Sequence, residues 1–135
     1  DEHHARRPEL LRPRRDRSEL QAIAAEASTR LADASTDDVL AWVAEEFGYR
    51  TAVACSMADA VLPHVVARHL PWVDTLFLET GYHFAETIGT RDAVEAGMEL
   101  TIVDVTAAQS VEQQDADHGP RLYERDPGLC CQLRK

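Results

Sequence analysis

VDTLFLETGYHFAET, residues 73–87, is the stretch from which the fold is read. Its first eight residues form the clearest strand in the chain, a short apolar run with β-branched and aromatic side chains. Gly81 punctuates the run, and helix-compatible sequence begins almost at once. The same change of period recurs on either side. RTAVACS (50–56) reads as a buried strand, and MADAVLPHVVARHL (57–70) as a helix whose Pro63 lies in its first turns or kinks it. HFAETIGTRDAVEAGM (83–98) reads as helical in parts, ELTIVDVT (99–106) as a third strand and SVEQQDADHG (110–119) as a short helix. RLYERDPGLCCQLRK (121–135) reads as helical with an interruption around Pro127–Gly128. Strand, helix, strand, helix, strand in succession predicts an α/β fold: right-handed crossovers and a parallel sheet covered on both faces. Ligands of such sheets sit beyond the carboxyl ends of the strands.

Two helices are expected before the first strand. SELQAIAAEASTRLADAS (18–35) spaces Leu20, Ile23, Ala24 and Leu31 near a helical repeat, with Ser18 as N-cap. TDDVLAWVAEEFG (36–48) gives a second, capped by Thr36 or Asp37, with Val39, Leu40 and Val43 on its apolar face and Gly48 at its end. Residues 1–18 read as a basic, disordered tail and residues 19–135 as a single domain.

Composition narrows the function. With 135 residues and 44% hydrophobic side chains the chain can bury one core. The net charge is −10, unevenly spread: residues 1–18 hold six arginines against four acids, and the remainder eight basic residues against twenty acids. An acidic body does not suit nonspecific nucleic-acid binding. No apolar run is long enough to span a membrane, and residues 1–20 lack the apolar segment of a secretory signal. Three cysteines make no disulfide framework, so a reducing, cytoplasmic location is expected, with no nucleic-acid or membrane partner.

Two strand ends carry the candidate chemistry. In CSMADA (55–60), Ser56 stands where a hydroxyl and free helical N–H groups can jointly hold an anion. The glycines and the Lys-Ser/Thr pair of a Walker loop are missing, and taken alone the residues read first as a plain N-cap at Ser56 with Asp59 in the first helical turn. In LETGYHF (78–84), Glu79, Thr80 and Gly81 follow a strand directly, and Tyr82 and Phe84 can wall an adenine-sized pocket. An ordinary strand-to-helix turn is the alternative there, and His83 reads as a surface or capping histidine. Cys130 and Cys131 are adjacent, a spacing at which a mutual disulfide is strained. Two small apolar side chains on a helix, or a metal or redox pair, both satisfy that observation.

VLPHVVARHLPWVDTLFLETGYHFAETIGTRDAVE (61–95) followed by LYERDPGLCCQLRK (122–135) resembles the assimilatory adenylyl-sulfate reductases, the cysteine-pair branch of the phosphoadenylyl-sulfate reductase family. The resemblance covers about residues 19–135, and its most specific elements are the double cysteine spaced from Arg134–Lys135 and the TGYHFAET turn. It implies an adenine-nucleotide α-hydrolase-like sheet with a modified pyrophosphate loop (PP-loop), of which this chain is the N-terminal part. It implies reduction of adenosine 5′-phosphosulfate to sulfite and AMP through an enzyme S-sulfonate, with thioredoxin as donor. Cys130 and Cys131 match two ligands of a [4Fe-4S] cluster whose other two come from a later Cys-x-x-Cys. Lys135 matches the lysine between cluster and substrate, Ser56 the loop holding the phosphosulfate, and Glu79, Thr80 and Gly81 the turn beside the adenosine.

Three departures accompany the resemblance. The nucleophilic cysteine is expected C-terminal of Lys135, so no catalytic residue lies in this chain and the fragment is expected to be inactive. Cys55 stands where the family has a serine or another small residue; a depressed, reactive thiol and a tolerated swap are the two readings. Glu79 replaces the usual aspartate. A phosphoadenylyl-sulfate reductase, a noncatalytic nucleotide-binding remnant and a generic metal or redox module are the rival functions. A homo-oligomer is an open expectation, as is poor solubility of residues 1–135 alone, from an exposed sheet edge.

Overall fold

The computed structural model describes residues 13–135, so most of the expected basic tail lies outside the described residues. Helix α1 (Arg17–Arg30) starts inside that tail because Asp16, not Ser18, caps it. The Glu19 N–H donates to Asp16 Oδ1 at 2.9 Å and the Asp16 N–H to Glu19 Oε2 at 2.8 Å, a reciprocal box that a cap at Ser18 would forfeit. Helix α2 (Thr36–Phe47) is capped one residue earlier than expected, by Ser35, whose Oγ accepts from the Asp38 N–H at 3.1 Å. Gly48, at φ 52°, ends it as expected.

Three strands follow: β1 (Ala52–Ala54), β2 (Asp74–Glu79) and β3 (Thr101–Thr106). They are joined by α3 (Val61–His69) and α4 (Ala85–Gly97), with Pro63 in the first turn of α3, where its missing N–H costs nothing. The sheet order is β1-β2-β3, and both pairings are parallel. The α/β class and the parallel sheet are therefore as expected. The first strand is shorter than residues 50–56, and its two alanines are exposed.

The expectation of a sheet covered on both faces is corrected. Right-handed crossovers that step the same way across a sheet place their helices on one face. Register puts Val53, Thr75, Phe77 and Ile102 on that face. There Phe77 joins a core with Val66 and Leu70 from the α3 side and Val94 from α4, while Leu40 and Val43 of α2 pack against it. Val39 turns instead toward α1, sharing a groove with Ala24, Ala27 and Trp42. On the opposite face Leu76 lies beside Val103 and Leu78 beside Val105, and Leu78 and Val105 are 40% and 39% exposed. Covering it requires a crossover that steps back in the other direction.

Beyond β3 come α5 (Val111–His118), α6 (Leu122–Arg125) and α7 (Pro127–Arg134). The break between the last two falls at Asp126, whose Oδ1 accepts from the Leu129 N–H at 3.0 Å while Pro127 opens the new helix. No helix among the described residues is long and apolar enough to cross a membrane.

Phe77 is fully buried at the centre of the one-sided core. Phe77→Ala is expected to destabilise the chain by about 3–5 kcal/mol, read from urea unfolding, with Leu78→Ala on the open face costing far less.

Candidate functional site

The exits of β2 and β3 and the last helix meet through one side chain. Arg134 is 7% exposed. Its Nε donates to the Thr80 carbonyl at 2.7 Å and its Nη1 to the Gln109 carbonyl at 2.7 Å. Thr80 directly follows β2 and Gln109 lies three residues beyond β3. A guanidinium stays charged and offers only donors, so burying it demands acceptors, and two strand-end carbonyls supply them. Cys130 is one turn earlier on the same helical face and is carried inward with Arg134. Cys131, a further 100° round the helix, is exposed.

Two clefts result, and Thr80 and Lys135 line both. The first, about 290 Å³, is bounded by Ala54, Cys55 and Ser56 at the exit of β1, by Leu76, Phe77 and Leu78 of β2, and by His83. The second, about 190 Å³, is bounded by Tyr82, Tyr123, Pro127, Cys130, Cys131 and Arg134. The fold thus brings Ser56, Thr80 and Lys135 to one opening and Cys130, Cys131, Thr80 and Lys135 to its neighbour. Glu79 and Gly81 line neither. They build the turn between: the Gly81 N–H donates to Glu79 Oε1 at 2.8 Å, and Gly81 has φ 83°. A Cβ there would lie 2.8 Å from Val111 Cγ2 and 3.3 Å from Arg134 Nη2, so only glycine fits under the arginine.

Several expectations are corrected in detail. Ser56 does not start a helix. Met57 turns the chain through φ 58° with its side chain fully buried, and α3 begins only at Val61, whose N–H is taken by Asp59 Oδ1 at 2.9 Å. The Ser56 hydroxyl accepts from the Ala58 N–H at 3.4 Å within that loop. Tyr82 and Phe84 do not pair to wall one pocket. Tyr82 packs edge-on against Tyr123 at 5.1 Å on the cysteine side, and Phe84, preceding α4, is 79% exposed. The flat wall of the first cleft is His83 instead, stacked on Phe77 at 4.8 Å with Nε2 2.7 Å from the Leu78 carbonyl. Burial pushes the Cys55 thiol up, and its side chain belongs to the core, which supports the small-residue swap over a reactive thiolate. Desolvation, and after it the charges of Asp115 and Cys130, push the Tyr82 phenol up.

Arg134 and Gln114 escaped the sequence reading as structural actors. Arg134 carried one signal, its i, i+4 spacing from Cys130. Gln114 sits in a strongly polar helix whose pattern marks no buried face.

Comparison with known proteins decides the family. The phosphoadenosine phosphosulfate reductase domain model matches residues 43–135. The chain belongs to the phosphoadenosine phosphosulfate reductase family. Within it, the chain is 54% identical over 121 residues to a Streptomyces coelicolor protein named adenosine 5′-phosphosulfate reductase, covering 90% of this chain and 51% of that one. A protein of the same name from Mycolicibacterium smegmatis is 52% identical over 118 residues, covering 87% and 50%. The chain thus spans about half the length of the curated relatives it matches. A crystal structure of phosphoadenylyl-sulfate reductase from Candida auris, in complex with phosphate, superposes with a TM-score of 0.61 at 24% identity, covering 82% of this chain and 56% of that one; it shows the fold shared across the family.

Arg134→Met is expected to leave the carbonyls of Thr80 and Gln109 buried and unpaired, at about 1–3 kcal/mol each. Hydrogen exchange should then quicken at residues 127–135 and at Gly81 while the β2–β3 pairing keeps its protection. Unchanged exchange over 127–135 would show that the helix docks by other means.

Proposed function

We propose that the whole protein is an adenylyl-sulfate reductase of sulfate assimilation, reducing adenosine 5′-phosphosulfate to sulfite and AMP with thioredoxin as electron donor. The observation that carries this reading is the position of Lys135 and Thr80, which line both the strand-end cleft and the cysteine-pair cleft. The names of the relatives agree with it. The adenosine would lie over the carboxyl end of β2 against His83 and the Glu79–Gly81 turn, and the phosphosulfate would point past Ser56 toward Lys135. There the Lys135 ammonium would offset the charge of the sulfate and of the approaching nucleophile.

That nucleophile is a cysteine C-terminal of Lys135 in this reading. Its thiolate attacks the sulfate sulfur, the sulfur–oxygen bond to AMP breaks, and AMP leaves with that electron pair. A thioredoxin thiolate then attacks the S-sulfonate at the enzyme sulfur. Sulfite departs, and thioredoxin's second thiol resolves the mixed disulfide, so the two electrons come from the thioredoxin dithiol.

Cys130 and Cys131 suit two ligand positions of a [4Fe-4S] cluster. Both are free thiols on one cleft, one buried and one exposed, with two cationic side chains beside them to balance thiolate charge. Among the described residues no group of three or more His, Cys, Asp or Glu converges, so the other ligands would come from a later Cys-x-x-Cys. Bound there, the cluster would supply an electrostatic field beside the sulfate. Free thiols also accord with a reducing, cytoplasmic setting.

The test is sulfite release by the full-length protein with reduced thioredoxin. Adenosine 5′-phosphosulfate should be turned over well ahead of its 3′-phosphorylated form, and Lys135→Ala should lower kcat/KM by about 10²-fold or more. Preference for the 3′-phosphorylated substrate would favour a phosphoadenylyl-sulfate reductase. Tight nucleotide binding with no sulfite would leave a noncatalytic binding module.

A further inference from the structure

Helix α5 buries one polar side chain completely. Gln114 is 0% exposed, while its neighbours Gln113 and Asp117 face outward. Its Nε2 donates to Cys130 Sγ at 3.6 Å, and its Oε1 accepts no hydrogen bond among the described residues. A half-satisfied buried amide is costly, and an apolar side chain of the same length would fill the space without that cost. The amide N–H is aimed at a sulfur that would carry thiolate charge as a cluster ligand, and a hydrogen bond to a charged acceptor is about twice as strong as to a neutral one.

The donor is also held firmly. Ser110 and Gln113 form a reciprocal box at the start of α5, with bonds of 3.1 and 2.9 Å. The preceding residue, Gln109, is tied by its carbonyl to Arg134 on α7. Gln114 and Cys130 therefore face each other across two helices locked together at Arg134.

We infer that Gln114 is a positioning residue for the iron–sulfur site, its amide N–H fixing the Cys130 thiolate in its ligating orientation and drawing negative charge from that sulfur. The inference rests on the proposed role of Cys130 as a ligand. Outer hydrogen bonds of this kind orient ligands and tune the metal they hold. Cys131, exposed on the same helix, has no such donor among the described residues, so the two sulfurs are inequivalent there.

The test uses the iron-loaded full-length protein and two variants. Gln114→Met keeps the side-chain length without a donor, and Gln114→Asn keeps the amide but withdraws it from the sulfur. Iron content, adenosine 5′-phosphosulfate binding, the resonance Raman Fe–S(Cys) stretches and the rate of iron loss to a chelator are measured. Both variants are expected to bind nucleotide as wild type does, to shift an Fe–S(Cys) band to higher frequency, and to lose iron about threefold to tenfold faster. Variants that bind nucleotide normally yet take up no iron support the same role. Wild-type spectra and iron-loss rates in both variants overturn it. Absence of iron from the wild-type protein would instead overturn the cluster reading itself, so the two failures are told apart by the wild-type iron content.

Discussion

A buried guanidinium organises the functional end of this molecule. Arg134 cannot shed its charge, and removing it from water is expensive unless its donors are met. The acceptors are the Thr80 and Gln109 carbonyls, one after each of two neighbouring strands. Satisfying them pins α7 across the strand exits. Everything chemical about the last helix follows from that pin: Cys130 turns inward, Cys131 outward, and Lys135 reaches the shared rim of two clefts. Gly81 is the matching constraint on the other partner, since a side chain there would collide with Val111 and crowd Arg134.

The sheet obeys a different rule, set by chain topology. Two crossovers stepping the same way put α3 and α4 on one face and gather the core around Phe77 there. The opposite face shows Leu78 and Val105 partly to solvent, and the first cleft opens beside it along Leu76 and Leu78. In a chain that spans about half the length of its relatives, that cleft is bounded, among the described residues, by β1 and β2 and the loops that leave them, with Lys135 at the end of α7.

Much of the architecture was legible in the sequence because each strand is followed by a break in period. β2 and β3, the long helices and the Asp126 interruption all carry local signals of alternation, capping or proline. What escaped was set by competition between local options or by distant contacts. Asp16 and Ser18 each have a box-closing residue three positions on, Glu19 and Gln21, and the Asp16–Glu19 box is the one formed, starting the helix two residues earlier. Ser56 looked like a helix start, but burial of the Met57 side chain fixed a left-handed turn and postponed the helix to Val61. The aromatic expectation failed because Tyr82 and Phe84 leave the strand in a turn, where alternation no longer predicts facing; His83, between them, reaches Phe77 instead. The Ser56, Thr80, Lys135 and Cys130–Cys131 set came from family resemblance, and the fold gathers it around two adjoining openings. No local pattern marks the contact between Gln114 and Cys130, sixteen residues apart in sequence.

The central claim is that one ligand bridges the strand exits and the cysteine-pair helix. Hydrogen exchange of the full-length protein with and without adenosine 5′-phosphosulfate tests it most directly. The account predicts that amides in residues 54–58, 78–83 and 130–135 slow together, with the same concentration dependence. Protection confined to the strand exits, with 130–135 unchanged at saturation, would contradict it.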